Sequence, residues 1–99
     1  MAIIISPRVR EKLASKIPPV SEDEIIQCFK NVTGKNLVDS RPQHKTRPRT
    51  QWFISDTDSF RTLKVVFIRK RSGDYVIKTA YEPSKTEEII YENQAYEQI

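Results

Sequence analysis

Residues 61–81, RTLKVVFIRKRSGDYVIKTAY, decide the fold of this chain. Two runs rich in β-branched and aromatic residues, 63–68 and 75–81, flank the short polar segment 71–74. This pattern predicts an antiparallel hairpin closed by a two-residue turn, in which Gly73 supplies a positive φ. Apolar residues fall on both sides of the first run, which indicates a strand at the centre of the sheet.

Basic side chains interrupt both predicted strands. Lys64 and Lys78 lie inside the strands and Arg61 precedes the first one. Because a strand does not need a central lysine to bury an apolar face, we predict a sheet that packs one face and presents cations on the other. Such a face suits phosphate, and RNA is the first candidate partner.

The charge distribution along the chain supports this interpretation. Residues 41–81 carry ten Lys/Arg and three acids, a net charge of +7, whereas residues 82–99 carry one base and five acids, a net charge of −4. The contrast favours a basic patch that the acidic tail covers, or a tail that docks a basic partner. A solvated surface without a partner is the alternative.

Helix signals lie on both sides of the hairpin. Three serines occupy N-cap positions: Ser6 before Pro7, Ser21 before Glu24 and Ser84 before Glu87, the last two as capping boxes. Gly34 is expected to end the second helix in a left-handed conformation. With short strands at 37–38 and 52–55, we predict an α+β fold in one domain spanning 1–99. It has two N-terminal helices, an antiparallel sheet of about four strands with helices on one face, and a C-terminal helix.

Composition excludes several classes of protein. Cys28 is the only cysteine, so an intramolecular disulfide and a cysteine zinc cluster are excluded, and we expect it to be a small buried residue on a helix. Two glycines leave no phosphate-binding loop. The apolar start at 2–5 is too short for a signal peptide or a membrane span. We therefore expect a cytoplasmic protein without a cofactor.

The hairpin register suggests a proton-transfer site. A two-residue turn places Lys64 opposite Tyr81 on one face, where the ammonium would lower the pKa of the phenol. Lys64 and Arg61 are the candidate cations that would stabilise charge on a phosphorus centre. The alternative is that Tyr81 packs against the last helix while Lys64 extends into water.

Other candidate RNA ligands lie in the predicted strands and in the polar segment before them. His44, the only histidine, is a candidate base or phosphate ligand, and the alternative is a surface residue. Candidate RNA-binding residues are Lys45, Arg47, Arg49, Lys78 and Trp52. Trp52 is either a core residue or a platform on which an RNA base stacks.

Three segments carry a family resemblance: SEDEIIQCF (21–29), RTLKVVF (61–67) and VIKTAYE (76–82). In this order they resemble the BrnT-type toxins of bacterial toxin–antitoxin pairs, in the RelE-like superfamily of small ribonucleases. The resemblance covers roughly residues 6–93. It implies a RelE-like fold, metal-independent RNA cleavage, and a cognate antitoxin protein as partner, with a homodimer or a toxin–antitoxin hetero-oligomer as the assembly.

Two further hypotheses remain open. BrnT-type toxins tend to end the last strand with adjacent arginines, where this chain has Tyr81 and Glu82. This difference motivates a non-catalytic nucleic-acid- or protein-binding module on the same fold. The chain also resembles small bacterial proteins with a Lys-Thr-Ala-Tyr-Glu-Pro pattern, some described as ADP-ribosyl-dinitrogen-reductase hydrolases. That likeness gives a third hypothesis, hydrolysis of an ADP-ribose-like substrate near His44, Lys78 and Tyr81.

Overall fold

A computed structural model of the chain describes residues 2–39 and 48–96. The elements are β1 (Ile3–Ile4), α1 (Pro7–Ala14), α2 (Glu22–Asn31), β2 (Leu37–Val38), β3 (Thr50–Asp56), β4 (Thr62–Arg69), β5 (Tyr75–Tyr81) and α3 (Lys85–Ala95). Over these residues the chain forms three helices and one five-stranded mixed sheet. The predicted α+β class is therefore confirmed.

The sheet has the strand order β1-β5-β4-β3-β2. Strands β2 to β5 form the predicted antiparallel meander, and β4 lies at the centre as expected. The additional strand is β1, which runs parallel to β5 with Ile3 opposite Tyr75 and Ile4 opposite Val76. The prediction of about four strands missed β1, because two residues are too few to show a periodic pattern.

Local hydrogen bonds fix where the helices begin. The predicted N-caps are all present: the Ser6 hydroxyl accepts from the Val9 N–H, and Ser21 with Glu24 and Ser84 with Glu87 form reciprocal capping boxes. Each box satisfies two backbone donors that a helix leaves unpaired at its first turn. The starts of α1, α2 and α3 therefore follow from nearby residues alone.

The helices pack on both faces of the sheet. Phe53 is buried and its ring lies 4.9 Å, centroid to centroid, from that of Phe29 on α2. The neighbouring Trp52 lies 5.7 Å from Tyr91 on α3. Because successive strand residues point to opposite faces, α2 and α3 lie on opposite faces. The prediction that the helices occupy one face is wrong, and α3 covers part of the face that was expected to be open.

The face under α1 and α2 holds most of the core. Its strand residues include Phe53, Leu63, Val65, Phe67 and Ile77, each at most 1% exposed. Cys28 contributes from α2 as predicted, with no exposed surface and a thiol that donates to the Ser55 carbonyl at a sulfur–oxygen distance of 3.7 Å. Burial raises the pKa of this thiol to about 12, so it remains protonated at neutral pH.

The β4–β5 hairpin differs from prediction in two ways that offset each other. Its loop is one residue longer than expected: Gly73 donates to the Lys70 carbonyl and has a φ of 92°, as in a three-residue loop. A bulge then shifts the register between Val66 and Phe67. The bulge adds one residue to β5, and Lys64 therefore lies opposite Tyr81, as predicted.

Gly34 has a different role from the one predicted. The positive φ expected there is absent, and α2 ends in extended backbone at Val32. A Cβ atom at Gly34 would lie 2.6 Å from the Tyr91 hydroxyl and 3.0 Å from the Ala95 Cβ. Glycine is therefore needed here for the close approach of α3, not for a left-handed cap.

We expect Gly34→Ala to lower the free energy of unfolding by about 1–3 kcal/mol, because the new methyl group overpacks against α3. The double substitution Gly34→Ala with Tyr91→Phe should recover part of that loss, because it removes the closest atom. Urea unfolding of both variants measures the effect. Equal stability of Gly34→Ala and the unsubstituted chain would contradict this account of the packing.

Candidate nucleic-acid interface

Helix α3 divides its face of the sheet into two grooves. The side chains of Tyr91 and Ala95 on α3 are buried, and the Tyr91 ring packs against Trp52 of the sheet. On one flank of α3 lies a groove of about 600 Å³, which we call the basic groove. Its lining includes Lys12, Trp52, Lys64, Val66, Lys78 and Tyr81, the acidic residue Asp39, and α3 residues such as Glu87 and Ile90. Four of the nine predicted site residues thus meet at one place.

A three-residue polar cluster forms the wall of the basic groove below α3. The Glu87 Oε2 atom accepts hydrogen bonds from the Lys64 ammonium at 2.7 Å and from the Tyr81 hydroxyl at 2.9 Å. The Lys64 side chain is 12% exposed and the Glu87 side chain 24%. Since the pair is largely removed from water, Glu87 neutralises the cation that was predicted to face a phosphate.

The cluster changes the acid–base behaviour expected of Tyr81. Burial and the hydrogen bond to Glu87 raise the pKa of the Tyr81 phenol, and the opposing effect of Lys64 is smaller. The prediction of a lowered phenol pKa is therefore wrong, because it omitted Glu87. Burial alone would raise the pKa of Glu87, but hydrogen bonds from Lys64, the Ser84 backbone and Tyr81 lower it to about 2.

Trp52 lies in the basic groove but is not an open stacking platform. The Lys64 ammonium lies 4.4 Å from the centroid of its indole ring, in cation–π geometry. The ring also contacts Tyr91 of α3 and packs against the buried core. Trp52 therefore packs as a core residue, the first of the two alternatives from the sequence, although it also lines the groove.

Lys78 is exposed because of the β-bulge. Ile77 pairs with Phe67 and is buried on the opposite face, while Thr79 pairs with Val66. Lys78 is the extra residue between them, and its side chain lines the basic groove. Bulges commonly redirect a side chain in this way next to functional sites.

Lys12 of α1 and Lys16, two residues after its end, join Lys78 along the edge of β5. Lys12 lines the basic groove, and the Lys16 ammonium lies 5.5 Å from the centroid of the Tyr81 ring. Over residues 2–39 and 48–96, none of Lys12, Lys16 and Lys78 forms a salt bridge. This edge is therefore an uncompensated cluster of positive charge.

Arg61 does not belong to the basic groove. Its guanidinium donates to both carboxylate oxygens of Glu24 at 3.1 Å and to Glu82 at 3.0 Å, and to the carbonyls of Pro18 and Pro19. Burial alone would lower the pKa of Arg61, but the hydrogen bonds to the two carboxylates raise it. Arg61 joins β4 to the start of α2 and is not available to stabilise a phosphate.

The remaining predicted ligands lie in the polar sequence that precedes β3. Arg49 is exposed, and its guanidinium donates to the Asp39 carbonyl at 2.9 Å. The predictions for His44, Lys45 and Arg47 fall outside the described residues. The proposed roles of those three side chains stay predictions.

Glu87 is the site residue that sequence reasoning missed. Its capping-box spacing from Ser84 was recognised and confirmed, and that role explained the residue fully from the sequence alone. The structure adds a second role, because Oε1 accepts from the Ser84 backbone while Oε2 faces Lys64 and Tyr81. The capping box places Glu87 in the first turn of α3, but its spacing gives no signal of the contacts with Lys64 and Tyr81.

Comparison of the chain with protein-family models, with curated proteins and with solved structures gives no significant match. No helix among the described residues combines the length and apolar character needed to cross a membrane. Within the same residues, no three or more His, Cys, Asp or Glu side chains are grouped so as to hold a metal ion.

The lowered pKa of Glu87 predicts a pH-dependent contribution to stability. A carboxylate whose pKa falls from 4.5 to about 2 on folding stabilises the fold above pH 4.5, and this contribution is lost as pH falls toward 2. Glu87→Gln removes that contribution, which solvent screening of the partly exposed pair reduces to on the order of 2 kcal/mol at neutral pH. Urea unfolding of both proteins should show a stability gap that narrows between pH 4.5 and 2. A gap independent of pH would contradict the assignment.

Proposed function

We propose that this chain binds RNA through the basic groove. The observation that carries the proposal is the uncompensated charge of Lys12, Lys16 and Lys78 around Tyr81, in contrast to Lys64, which Glu87 neutralises. Unpaired ammonium groups along the edge of β5 attract RNA phosphates, and the release of counterions from those phosphates favours binding.

The chemistry of the groove favours a single strand. Its floor on the sheet is apolar and aromatic, with Val66 and Trp52, and Ile90 of α3 adds apolar surface beside them, while the lysines lie along its edge. A single strand matches this division, because its bases can contact the floor while its phosphates contact the ammonium groups. The resemblance to RelE-like ribonucleases supports RNA over DNA as the natural ligand.

The test compares three equal charge changes. We expect Lys12→Gln and Lys78→Gln each to weaken binding of a fluorescein-labelled 12-nucleotide single-stranded RNA, measured by fluorescence anisotropy. Each should also reduce the slope of log affinity against log salt by about 0.7, the value for one phosphate contact on a single strand. Lys85→Gln is the matched control, because Lys85 is an exposed lysine on the other flank of α3.

Equal weakening by all three substitutions would indicate a diffuse charge effect and contradict the assignment to the basic groove. The same conclusion would follow if RNA binding did not depend on salt. Circular dichroism of each variant should match that of the unsubstituted chain, since all three side chains are exposed.

Metal-independent RNA cleavage by a toxin of the RelE-like type is the second candidate function. The observation that favours it is the hydrogen-bonded contact of Lys64 and Tyr81 at Glu87, in the wall of the basic groove. Once released from Glu87, the neutral Tyr81 phenol can protonate a leaving oxygen and the Lys64 ammonium can stabilise negative charge on the phosphorus centre. The engagement of Arg61 by Glu24 and Glu82 removes one predicted catalytic cation.

If the chain cleaves RNA, its expression alone should arrest growth, and a cognate antitoxin should relieve the arrest. Purified protein should then cut RNA in the presence of EDTA, and Tyr81→Phe should slow cutting by about 100-fold or more while leaving binding intact. Gel electrophoresis of labelled RNA measures the rate. If the protein binds RNA but neither cuts it nor arrests growth, the toxin hypothesis is excluded and the chain is an RNA-binding module without catalytic activity.

A further inference from the structure

The second groove beside α3 has the opposite charge. It encloses about 810 Å³ between the C-terminal end of α2, the β3–β4 turn and α3, and we call it the acidic groove. The residues that define it are Phe60, Ile89, Asp56, Asp58, Glu88 and Glu92. Lys85 is the one cation among the described residues that line it.

An exposed aromatic ring forms one edge of the acidic groove. Phe60 is 85% exposed, although its backbone has a φ of 67°, which a bulky residue rarely adopts. The turn that holds it is closed by three hydrogen bonds, in which the Thr57 carbonyl accepts from Phe60, Thr57 donates to the Arg61 carbonyl, and the Thr57 hydroxyl accepts from Arg61. The fold thus tolerates backbone strain to hold an apolar side chain in water, where it gains no burial.

The walls of the acidic groove are fixed in place before any partner binds. Asn31 donates to the Asp56 carbonyl at 3.0 Å and to the Asp58 carboxylate at 2.9 Å, while Lys30 also binds Asp58. Thr57, at the base of the turn, is 2% exposed. A preformed groove loses little conformational entropy on binding, which favours a specific partner.

Charge complementarity identifies the kind of partner. Glu88 and Glu92 lie one helical turn apart on α3, and neither side chain forms a salt bridge or hydrogen bond with any residue in 2–39 or 48–96. Beside them, Ile89 and Phe60 are exposed apolar residues. Two unpaired carboxylates next to an apolar edge match a segment in which basic residues flank an apolar anchor.

We infer that the acidic groove docks a basic segment of another protein, with an apolar residue of that segment against Phe60 and cations of the segment on Glu88 and Glu92. This site is separate from the RNA site, because the two grooves lie on opposite flanks of α3 and have opposite charge. The chain would then hold RNA and a basic protein segment at the same time.

The test uses two labelled 14-residue peptides with identical leucines, one with lysine and the other with glutamate at every polar position. We expect the lysine peptide to bind and the glutamate peptide not to bind. Phe60→Ala and the double substitution Glu88→Gln with Glu92→Gln should each weaken binding at least about tenfold. Lys78→Gln should leave peptide binding unchanged while it weakens RNA binding, which separates this site from the proposed RNA function.

Phe60→Gly separates docking from folding. Glycine adopts a φ near 67° without strain, so we expect this variant to melt at the same temperature or higher and yet to lose peptide binding. Peptide binding equal to that of the unsubstituted chain in Phe60→Gly and Phe60→Ala would overturn the inference. A concentration-dependent dimer that Phe60→Ala dissociates would also overturn it, because the occupant would then be a second copy of this chain.

Discussion

The carboxylate of Glu87 determines how α3 lies on the sheet. One oxygen accepts from the Ser84 backbone and caps the helix, and the other accepts from Lys64 and Tyr81 on two neighbouring strands. A helix with so weak an apolar face gains little from burial alone, since among its residues only Tyr91 and Ala95 are buried. The hydrogen bonds of Glu87 therefore both attach α3 to the sheet and orient it, so that one flank of α3 faces β4 and β5.

The position of α3 separates the exposed charges of the chain. On one flank, Lys12, Lys16 and Lys78 have no acidic partner among the described residues, while on the other Glu88 and Glu92 have no basic one. Salt bridges between the lysines of one flank and the carboxylates of the other would neutralise both sets of charges. Their separation instead keeps both surfaces available for charged ligands, in the way that separated potentials guide different partners to different faces.

The sequence predicted what depends on neighbouring residues. Local spacing predicted the N-caps at Ser21 and Ser84 and the pairing of Lys64 with Tyr81. The predicted register of that pair is correct only because the hairpin loop is one residue longer than expected and the β-bulge offsets the extra residue. Long-range packing was less accessible. The capping box explained Glu87 from the sequence alone, so nothing in the spacing pointed to its contacts across the sheet, and Gly34 looked like a cap when it makes room for Tyr91.

Helix α3 separates two surfaces of opposite charge, and we propose that each binds its own ligand. Amide chemical shifts of the isotope-labelled chain, titrated in separate samples with single-stranded RNA and with the lysine peptide, test it most directly. We predict that RNA perturbs the amides around Lys12, Lys78 and Thr79, and that the peptide perturbs those around Phe60 and Glu88. Perturbation of the same set of amides by both ligands would contradict this separation.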